Sequence, residues 1–275
     1  MKLYRIRTPG GQIAHATGEN GGFRRVEGDV FGDFRVTDEP VDAAAILAPL
    51  ARPPGIYAIG LNYRAHAAET GKELPTAPVV FAKSPTSVIG DGEAIRLPAA
   101  GPACVDYEVE LALVIGRECR DVPAADAREV LLGCTVACDV SARDWQKRLG
   151  QWVRAKSFDT FCPLGPCIDT EIDPADLPLR SILNGTVMQE SRTSDLIFPA
   201  GELIEFLSAD LTLPAGTVIL TGTPSGVGVA RDPRVFLRDG DELVCQIDGI
   251  GRLTHPIRLA DNADPNAPPA DAWGA

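Results

Sequence analysis

Two glutamates, Glu108 and Glu110, stand two positions apart in the run DYEVELALVIG (106–116). Polar and apolar residues alternate there at period two, which predicts a strand. A strand sends alternate side chains to one face. Glu108 and Glu110 therefore point the same way, along with Asp106, while Val109, Leu111 and Leu113 take the other side. The apolar continuation ALVIG marks the strand as interior. A third acid, Asp139, ends another apolar strand, TVACD, just before a polar turn. Carboxylates taken out of water without compensation are costly, and like charges side by side add to the penalty. If Glu108, Glu110 and Asp139 converge in a concave site, a cation must sit among them; otherwise they line a solvated face. An all-oxygen set favours a hard divalent ion, Mg²⁺ or Mn²⁺, over Zn²⁺, with positions left for water and substrate.

Proton transfer has a candidate in GLNYRAHAAETG (60–71), where Glu69 follows His66 by three positions. The plain alternative is the surface of a short helix. Gly60 and Gly71 bracket the stretch and suggest a segment that closes over a bound ligand. After Asp139 comes a charge-rich run in which Arg143 and Gln146 lie four and seven residues on, on one face of a helix. Arginine suits a planar carboxylate, although a solvated helix face would read the same. Lys156 stands in the mixed setting VRAKSFDTF. An exposed lysine is the ordinary reading; beside a metal it would support an oxyanion, and burial would lower its pKa. TGTPSGVG (221–228) lacks the Gly-Lys-Ser/Thr ending of a phosphate loop and reads as a tight turn whose backbone approaches a ligand closely. His15 and His255 have no acidic neighbours at useful spacing and read as structural.

The elements that must position these residues are mostly strands. Residues 1–54 alternate strand-like pieces with turn signals and read as a small β-rich unit ending at ARPPG, with a short helix over Val41–Leu50. Residues 55–259 read as one larger domain. PVVFAKSPTSVIG is strand, turn, strand. PAADAREVLLG is a helix closed by Gly133, and AGELIEFLSAD is an amphipathic helix. Asn184-Gly185 and Asp248-Gly249 mark hairpin turns. Residues 260–275 are expected to form a mobile tail. Strands outnumber helices without βα alternation, so the fold class is α+β, mostly β.

Composition narrows the function. The chain has 275 residues, 45% of them hydrophobic, and a formal net charge of −12. So acidic a surface repels phosphate backbones, which argues against nucleic acid. A small anionic substrate would need local positive charge. No apolar run suits a membrane span or a secretory signal. The seven cysteines are scattered without zinc-ligand spacing, as expected of reduced thiols in a cytoplasmic protein.

GLNYRAHAAE, DYEVELALVIG, CDVSARDWQ, RAKSFDTFCPLGP, LNGTVMQESRTSDLIF and VILTGTPSGVG follow one another over residues 56–258. Together they resemble the fumarylacetoacetate hydrolase family. The resemblance implies layered mixed sheets around a metal site, usually as a homodimer, with Mg²⁺ or Mn²⁺ held by Glu108, Glu110 and Asp139. It also implies a catalytic His66–Glu69 pair, Lys156 beside the metal, and Arg143, Gln146 and Thr223 on the substrate's acid end. The activity it implies is hydrolysis of a C–C bond in a 2,4-dioxo acid such as an acylpyruvate, with His66 activating water and an enolate leaving. Alternatives within the family are an oxaloacetate-type decarboxylase, a 2-hydroxyhepta-2,4-diene-1,7-dioate-type isomerase and a diketo-deoxy sugar-acid hydrolase. A non-catalytic small-molecule or metal-binding protein is the alternative of a different class.

Overall fold

The computed structural model describes residues 1–19, 22–101 and 103–264. Most of the segment expected as a mobile tail, residues 265–275, lies outside the described residues. Two sheets form the body. The larger has its centre at the strand Val109–Ile115, paired antiparallel with Leu131–Cys138 on one side and Val218–Leu220 on the other. Every residue of Val109–Ile115 is buried. The second sheet is the run Thr186–Arg192, Pro178–Leu183, Glu242–Ile247 and Gly251–Leu259, with Ile95–Leu97 parallel to the last.

Alternation in the central strand divides the core. Val109, Leu111, Leu113 and Ile115 join Leu179, Leu243, Cys245 and Leu253 of the second sheet in one apolar cluster. Ala112 and Val114 join Ile56, Ala58 and Leu164 in another. Glu110 shares the face of Ala112 and Val114, at the end where the chain leaves the core. The fold is thus mostly β and layered, with a few short helices at its margins.

Both hairpins form. Asn184 (φ 50°) and Gly185 (φ 79°) each adopt positive φ, the geometry that lets a two-residue turn follow the twist of its strands. The helices AGELIEFLSAD and DWQKR also form, at Ala200–Ser208 and Arg143–Arg148. Two local expectations fail. Val41–Leu50 is not a helix; Ala45–Leu47 is a strand paired antiparallel with Arg5–Arg7. Strand Lys2–Arg7 meets strand Cys162–Asp169 only at Lys2 and Leu3, which leaves an open edge at Arg5–Arg7. Covering that edge outweighs the helix propensity of the segment's four alanines. In PAADAREVLLG the α-helix is only Ala127–Val130, and Gly133 lies within the strand Leu131–Cys138.

The strands Lys2–Arg7, Ile13–Glu19, Gly22–Gly28 and Phe34–Val41 form a meander that continues the large sheet. At the opposite edge stand Ile56–Gly60 and Val79–Ala82. The short helices Arg64–Glu69, Arg143–Arg148 and Val153–Lys156 carry His66, Arg143, Gln146, Lys147 and Lys156, which line a cavity together with residues of the strands and loops. Among the described residues no helix is long and apolar enough to cross a membrane. Among the described residues no disulfide forms, and all seven cysteines but Cys119 are buried.

Candidate metal centre and active site

Register brings the three acids together. Val109 pairs with Cys138 and Glu110 with Ala137, so Glu108 lies opposite Asp139, and the Asp139 N–H donates to the Glu108 carbonyl at 2.9 Å. Alternation then puts Glu108, Glu110 and Asp139 on one face. Each offers an oxygen, and these oxygens lie within 4.8 Å of one another. All three residues are buried.

Around them stand three buried cations. Arg143 Nη2 donates to Glu108 Oε1 at 2.6 Å, and Lys156 Nζ donates to Glu108 Oε2 at 2.5 Å. Lys156 Nζ also bonds Asp139 Oδ2, and Lys83 Nζ donates to Asp139 Oδ1 at 2.5 Å and to the Lys156 carbonyl. Asp106 accepts from Arg143 Nε at 2.9 Å and from the Gly228 and Val229 N–H groups at 2.8 and 3.0 Å. Asp106 therefore anchors both the arginine and the glycine-rich loop.

The charges do not balance. Asp106, Glu108, Glu110 and Asp139 face Lys83, Lys156 and Arg143, one cation short. Glu110 is the acid left over: its hydrogen bond comes from the Gly222 N–H, at 2.7 Å. Burial, then the charges of Asp139 and Glu108, push its pKa well above the ordinary carboxylate value. Glu108 moves the other way. Burial opposes its charge, but Arg143 and Lys156 outweigh burial and hold its pKa far below the usual range. Lys156, expected to lose basicity on burial, gains it instead: desolvation lowers its pKa, and Asp139 and Glu108 more than reverse that. Three convergent carboxylates whose full ionisation leaves one surplus negative charge fit a hard divalent cation.

A cavity of about 370 Å³ is lined by Glu108, Glu110, Asp139, Arg143, Lys156, His66, Gln146 and Thr223, among others. The Arg143 guanidinium, expected to face a substrate, is engaged by Asp106 and Glu108, and its Nη1 donates to Gln146 Oε1 at 2.9 Å. That bond leaves the Gln146 amide NH₂ for a ligand. The Thr223 hydroxyl donates to the Val109 carbonyl at 3.0 Å and accepts from Gln189 Nε2 at 2.8 Å. Its oxygen is held at the wall by both.

The helix Arg64–Glu69 brings His66 to the cavity. Tyr63, at its N-cap, supplies no side-chain cap; Asp195 Oδ2 substitutes, accepting the Ala65 N–H at 3.0 Å. Asn62 ties the helix entry to the loop after the central sheet by donating to the Thr221 carbonyl at 2.8 Å. His66 Nδ1 meets Glu69 Oε2 at 2.9 Å, and Glu69 Oε1 accepts the Gly226 N–H at 2.8 Å. Burial works against the Glu69 charge, but the His66 bond and the Gly226 N–H prevail, with nearby Arg231 assisting, and its pKa falls. Gly226 (φ +99°) admits no side chain, because a Cβ would stand 2.2 Å from the Met188 carbonyl oxygen. Gly60 is needed for a contact: a Cβ there would lie 2.6 Å from the Trp152 ring.

Spacing alone did not reveal Lys83, Asn62, Gln189 or Arg231. Lys83 left a faint signal, a lysine closing the apolar run VVFA just before Ser-Pro. His15 and His255 lie away from the cavity; His255 is buried, with Nδ1 2.8 Å from the Glu93 carbonyl.

A buried cluster of three carboxylates in a pocket that His66 also lines characterises this layered, mostly β protein. Residues 55–258 match the family model described as fumarylacetoacetate (FAA) hydrolase C-terminal, and the chain belongs to that family. It is 42% identical over 222 residues to the mitochondrial oxaloacetate tautomerase Fahd2a of Rattus norvegicus, covering 79% of this chain and 71% of that protein. Its fold matches 5-carboxymethyl-2-hydroxymuconate delta-isomerase from Mycobacterium smegmatis with a TM-score of 0.84 at 44% identity, covering 94% of this chain and 100% of that one. It also matches 2-hydroxyhepta-2,4-diene-1,7-dioate isomerase from Mycobacterium marinum with a TM-score of 0.82 at 43% identity, covering 95% and 99%.

Proposed function

We propose that this protein is a divalent-metal-dependent enzyme that moves a proton at C3 of a small 2-oxo acid, interconverting its enol and keto forms or shifting its double bond. The observation that carries the proposal is His66, hydrogen-bonded to Glu69, lining the same cavity as the Glu108, Glu110 and Asp139 cluster. The names of the similar tautomerase and isomerases support it.

Glu108, Glu110 and Asp139 would hold the ion, Mg²⁺ or Mn²⁺. Bound there, it would supply Lewis-acid polarisation of the C2 oxygen. The chain's own groups do the rest. Glu69 fixes the His66 tautomer with hydrogen on Nδ1, leaving Nε2 to carry the mobile proton. In ketonisation His66 Nε2 takes the enol O–H proton, the freed O–H electron pair forms the C2 carbonyl, and the former C2=C3 pair takes that proton back at C3 from His66, which ends as it began. Lys156 supports the developing oxyanion. The Gln146 amide orients the carboxylate and Arg143 holds Gln146 in place, while Thr223, its hydroxyl proton given to Val109, shapes the wall.

A second reading is cleavage of a 2,4-dioxo acid. Hydroxide from water adds to C4, the C3–C4 bond breaks, and its pair goes to C3, which is then protonated. The size of the cavity favours keeping this reading, since a water's share of liquid volume is only about 30 Å³. Decarboxylation of an oxaloacetate-like acid would use the same floor.

The test is ultraviolet decay of enol-oxaloacetate and of an acylpyruvate with Mg²⁺, Mn²⁺ or chelator, with products identified. Faster decay with oxaloacetate retained supports proton transfer. Release of pyruvate and a second acid from the acylpyruvate supports cleavage, and carbon dioxide supports decarboxylation. No metal-dependent acceleration of any of these sinks the proposal.

A further inference from the structure

We propose that Lys83 sets the ion preference of the carboxylate cluster. By capping one oxygen of Asp139, it leaves that acid a single oxygen for an ion and so favours Mg²⁺ over Ca²⁺. The inference rests on the metal-dependent reading above and adds to it a positioning residue for the ion.

Each acid of the cluster has two oxygens, and a neighbour donates to one of them. Asp139 Oδ1 accepts from Lys83 Nζ at 2.5 Å, Glu110 Oε2 from the Gly222 N–H at 2.7 Å, and Glu108 Oε1 from Arg143 Nη2 at 2.6 Å. The second oxygens of Glu108 and Asp139 share Lys156 Nζ, and Lys156 lines the cavity. Lys83 differs from Lys156 in its place. Its side chain is 0% exposed, and among the described residues it is not part of the cavity lining. An ion entering from the cavity therefore competes with Lys156 and leaves Lys83 where it is. The sheet fixes Lys83. It follows the strand Val79–Ala82, its N–H donates to the Ile56 carbonyl at 3.0 Å, and its Nζ also bonds the Lys156 carbonyl. The next residue is tied down as well, with the Ser84 N–H donating to Ser157 Oγ at 2.9 Å.

One oxygen from each acid gives an ion three protein ligands and leaves its other positions to water or substrate. Mg²⁺ suits that arrangement, because it demands an octahedron at about 2.0–2.1 Å and keeps several waters. Ca²⁺ takes about 6–8 oxygens at about 2.3–2.6 Å and gains from carboxylates that close on it with both oxygens. Lys83 denies it the second oxygen of Asp139. Arg143 and the Gly222 N–H restrict Glu108 and Glu110 in the same way, but Arg143 also lines the cavity and the Gly222 donor is backbone. Lys83 is thus the side-chain cap that stands apart from the substrate.

The test compares Mg²⁺ and Ca²⁺ binding by calorimetry, without substrate, in wild type, Lys83→Met and Lys83→Gln. Wild type is expected to bind Mg²⁺ about tenfold more tightly than Ca²⁺, and Lys83→Met to lose most of that preference. Both ions carry the same charge, so the charge removed with Lys83 cancels in the ratio. Lys83→Gln keeps a donor on a shorter arm, and its ratio is expected to fall between the two. Infrared difference spectra of ion-loaded against ion-free protein read the same point without a variant. Their carboxylate stretches should report one-oxygen binding in Mg²⁺-loaded wild type. Ca²⁺ binding as tight as Mg²⁺ in wild type overturns the proposal, as does a two-oxygen signature with Mg²⁺ or a ratio unmoved in the variants. If Lys83→Met does not fold, Lys83→Gln and the two wild-type measurements decide. If neither ion binds wild type, the metal-dependent reading itself fails and the role of Lys83 falls with it.

Discussion

The cavity floor and the His66 segment are built in opposite ways. Glu108, Glu110 and Asp139 take their positions from the ladder of a central strand, and the charges around them are buried and mutually bound. His66 rides on a helix of six residues with one buried side chain, Ala67. The segment is held by separate hydrogen bonds, from Asn62 at its start to the Thr221 carbonyl, from Ala65 to Asp195 and from Gly226 to Glu69. Floor geometry is thus inseparable from folding, whereas the arm can be loosened one bond at a time. Substitutions in the floor should damage stability and metal binding together, and substitutions in the arm should damage turnover alone.

Asp139→Asn is the strongest test of that division. It leaves Lys83 and Lys156 buried without the carboxylate they share. Breaking a buried pair in this way is expected to cost about 3–5 kcal/mol. Urea unfolding should show the loss, and calorimetry should show Mg²⁺ affinity falling with it. A variant with wild-type stability would mean that the floor is not electrostatically interlocked.

His66→Ala is the counterpart in the arm. Loss of the proton carrier is expected to lower kcat by about 10²–10⁴-fold, while the unfolding midpoint and Mg²⁺ affinity stay near wild type. Full turnover with metal bound would remove His66 from the chemistry. A parallel loss of metal binding would show that arm and floor are coupled.

A smaller effect separates the two regions by pH. Glu110 has a raised pKa in the metal-free floor, so it holds a proton at pH values where an ordinary carboxylate has lost it. To ligate a cation it must release that proton. Mg²⁺ affinity should therefore rise with pH below the raised pKa and weaken toward acid. Calorimetry in buffers of different ionisation enthalpy should detect up to one proton released. His66→Ala should leave that release intact, and Glu110→Gln should abolish it.

The same contrast explains what could be read from the sequence. Period-two spacing put Glu108 and Glu110 on one face because alternation is a local property of a strand. Their meeting with Asp139 needed the register of a ladder, which no single segment specifies; the family resemblance supplied it. Lys83 escaped because its partner lies 56 positions away, and a lysine after an apolar run looks like any strand end. The basicity of Lys156 departs from expectation for the same reason: the effect of burial on a lysine is general, whereas the acids that reverse it, Glu108 and Asp139, lie 48 and 17 positions away. The helix assigned to Val41–Leu50 failed because the open edge at Arg5–Arg7 was itself a tertiary fact. His66 and Glu69, three apart on a helix, were legible as a pair. The loop that orients the pair was not.

That loop gives the finest probe of the arm. Gly226 donates its N–H to Glu69, and its carbonyl accepts from Arg231 Nε at 3.2 Å and from the Tyr107 hydroxyl at 3.3 Å. Arg231 also reaches the Met188 carbonyl, and its charge helps keep Glu69 ionised. Arg231 thus braces the residue that steers Glu69, and through it His66, from outside the floor. Arg231→Gln keeps a shorter donor but removes the charge and the reach. One lost hydrogen bond to a charged group is worth about 1.5 kcal/mol, or roughly a tenfold fall in kcat if all of it is expressed in the transition state. KM and Mg²⁺ affinity should stay put, because neither depends on this loop contact, and Arg231→Lys should recover part of the rate. A rise in KM or a loss of Mg²⁺ binding of similar size would place Arg231 in the floor's framework and erase the line drawn between the two regions.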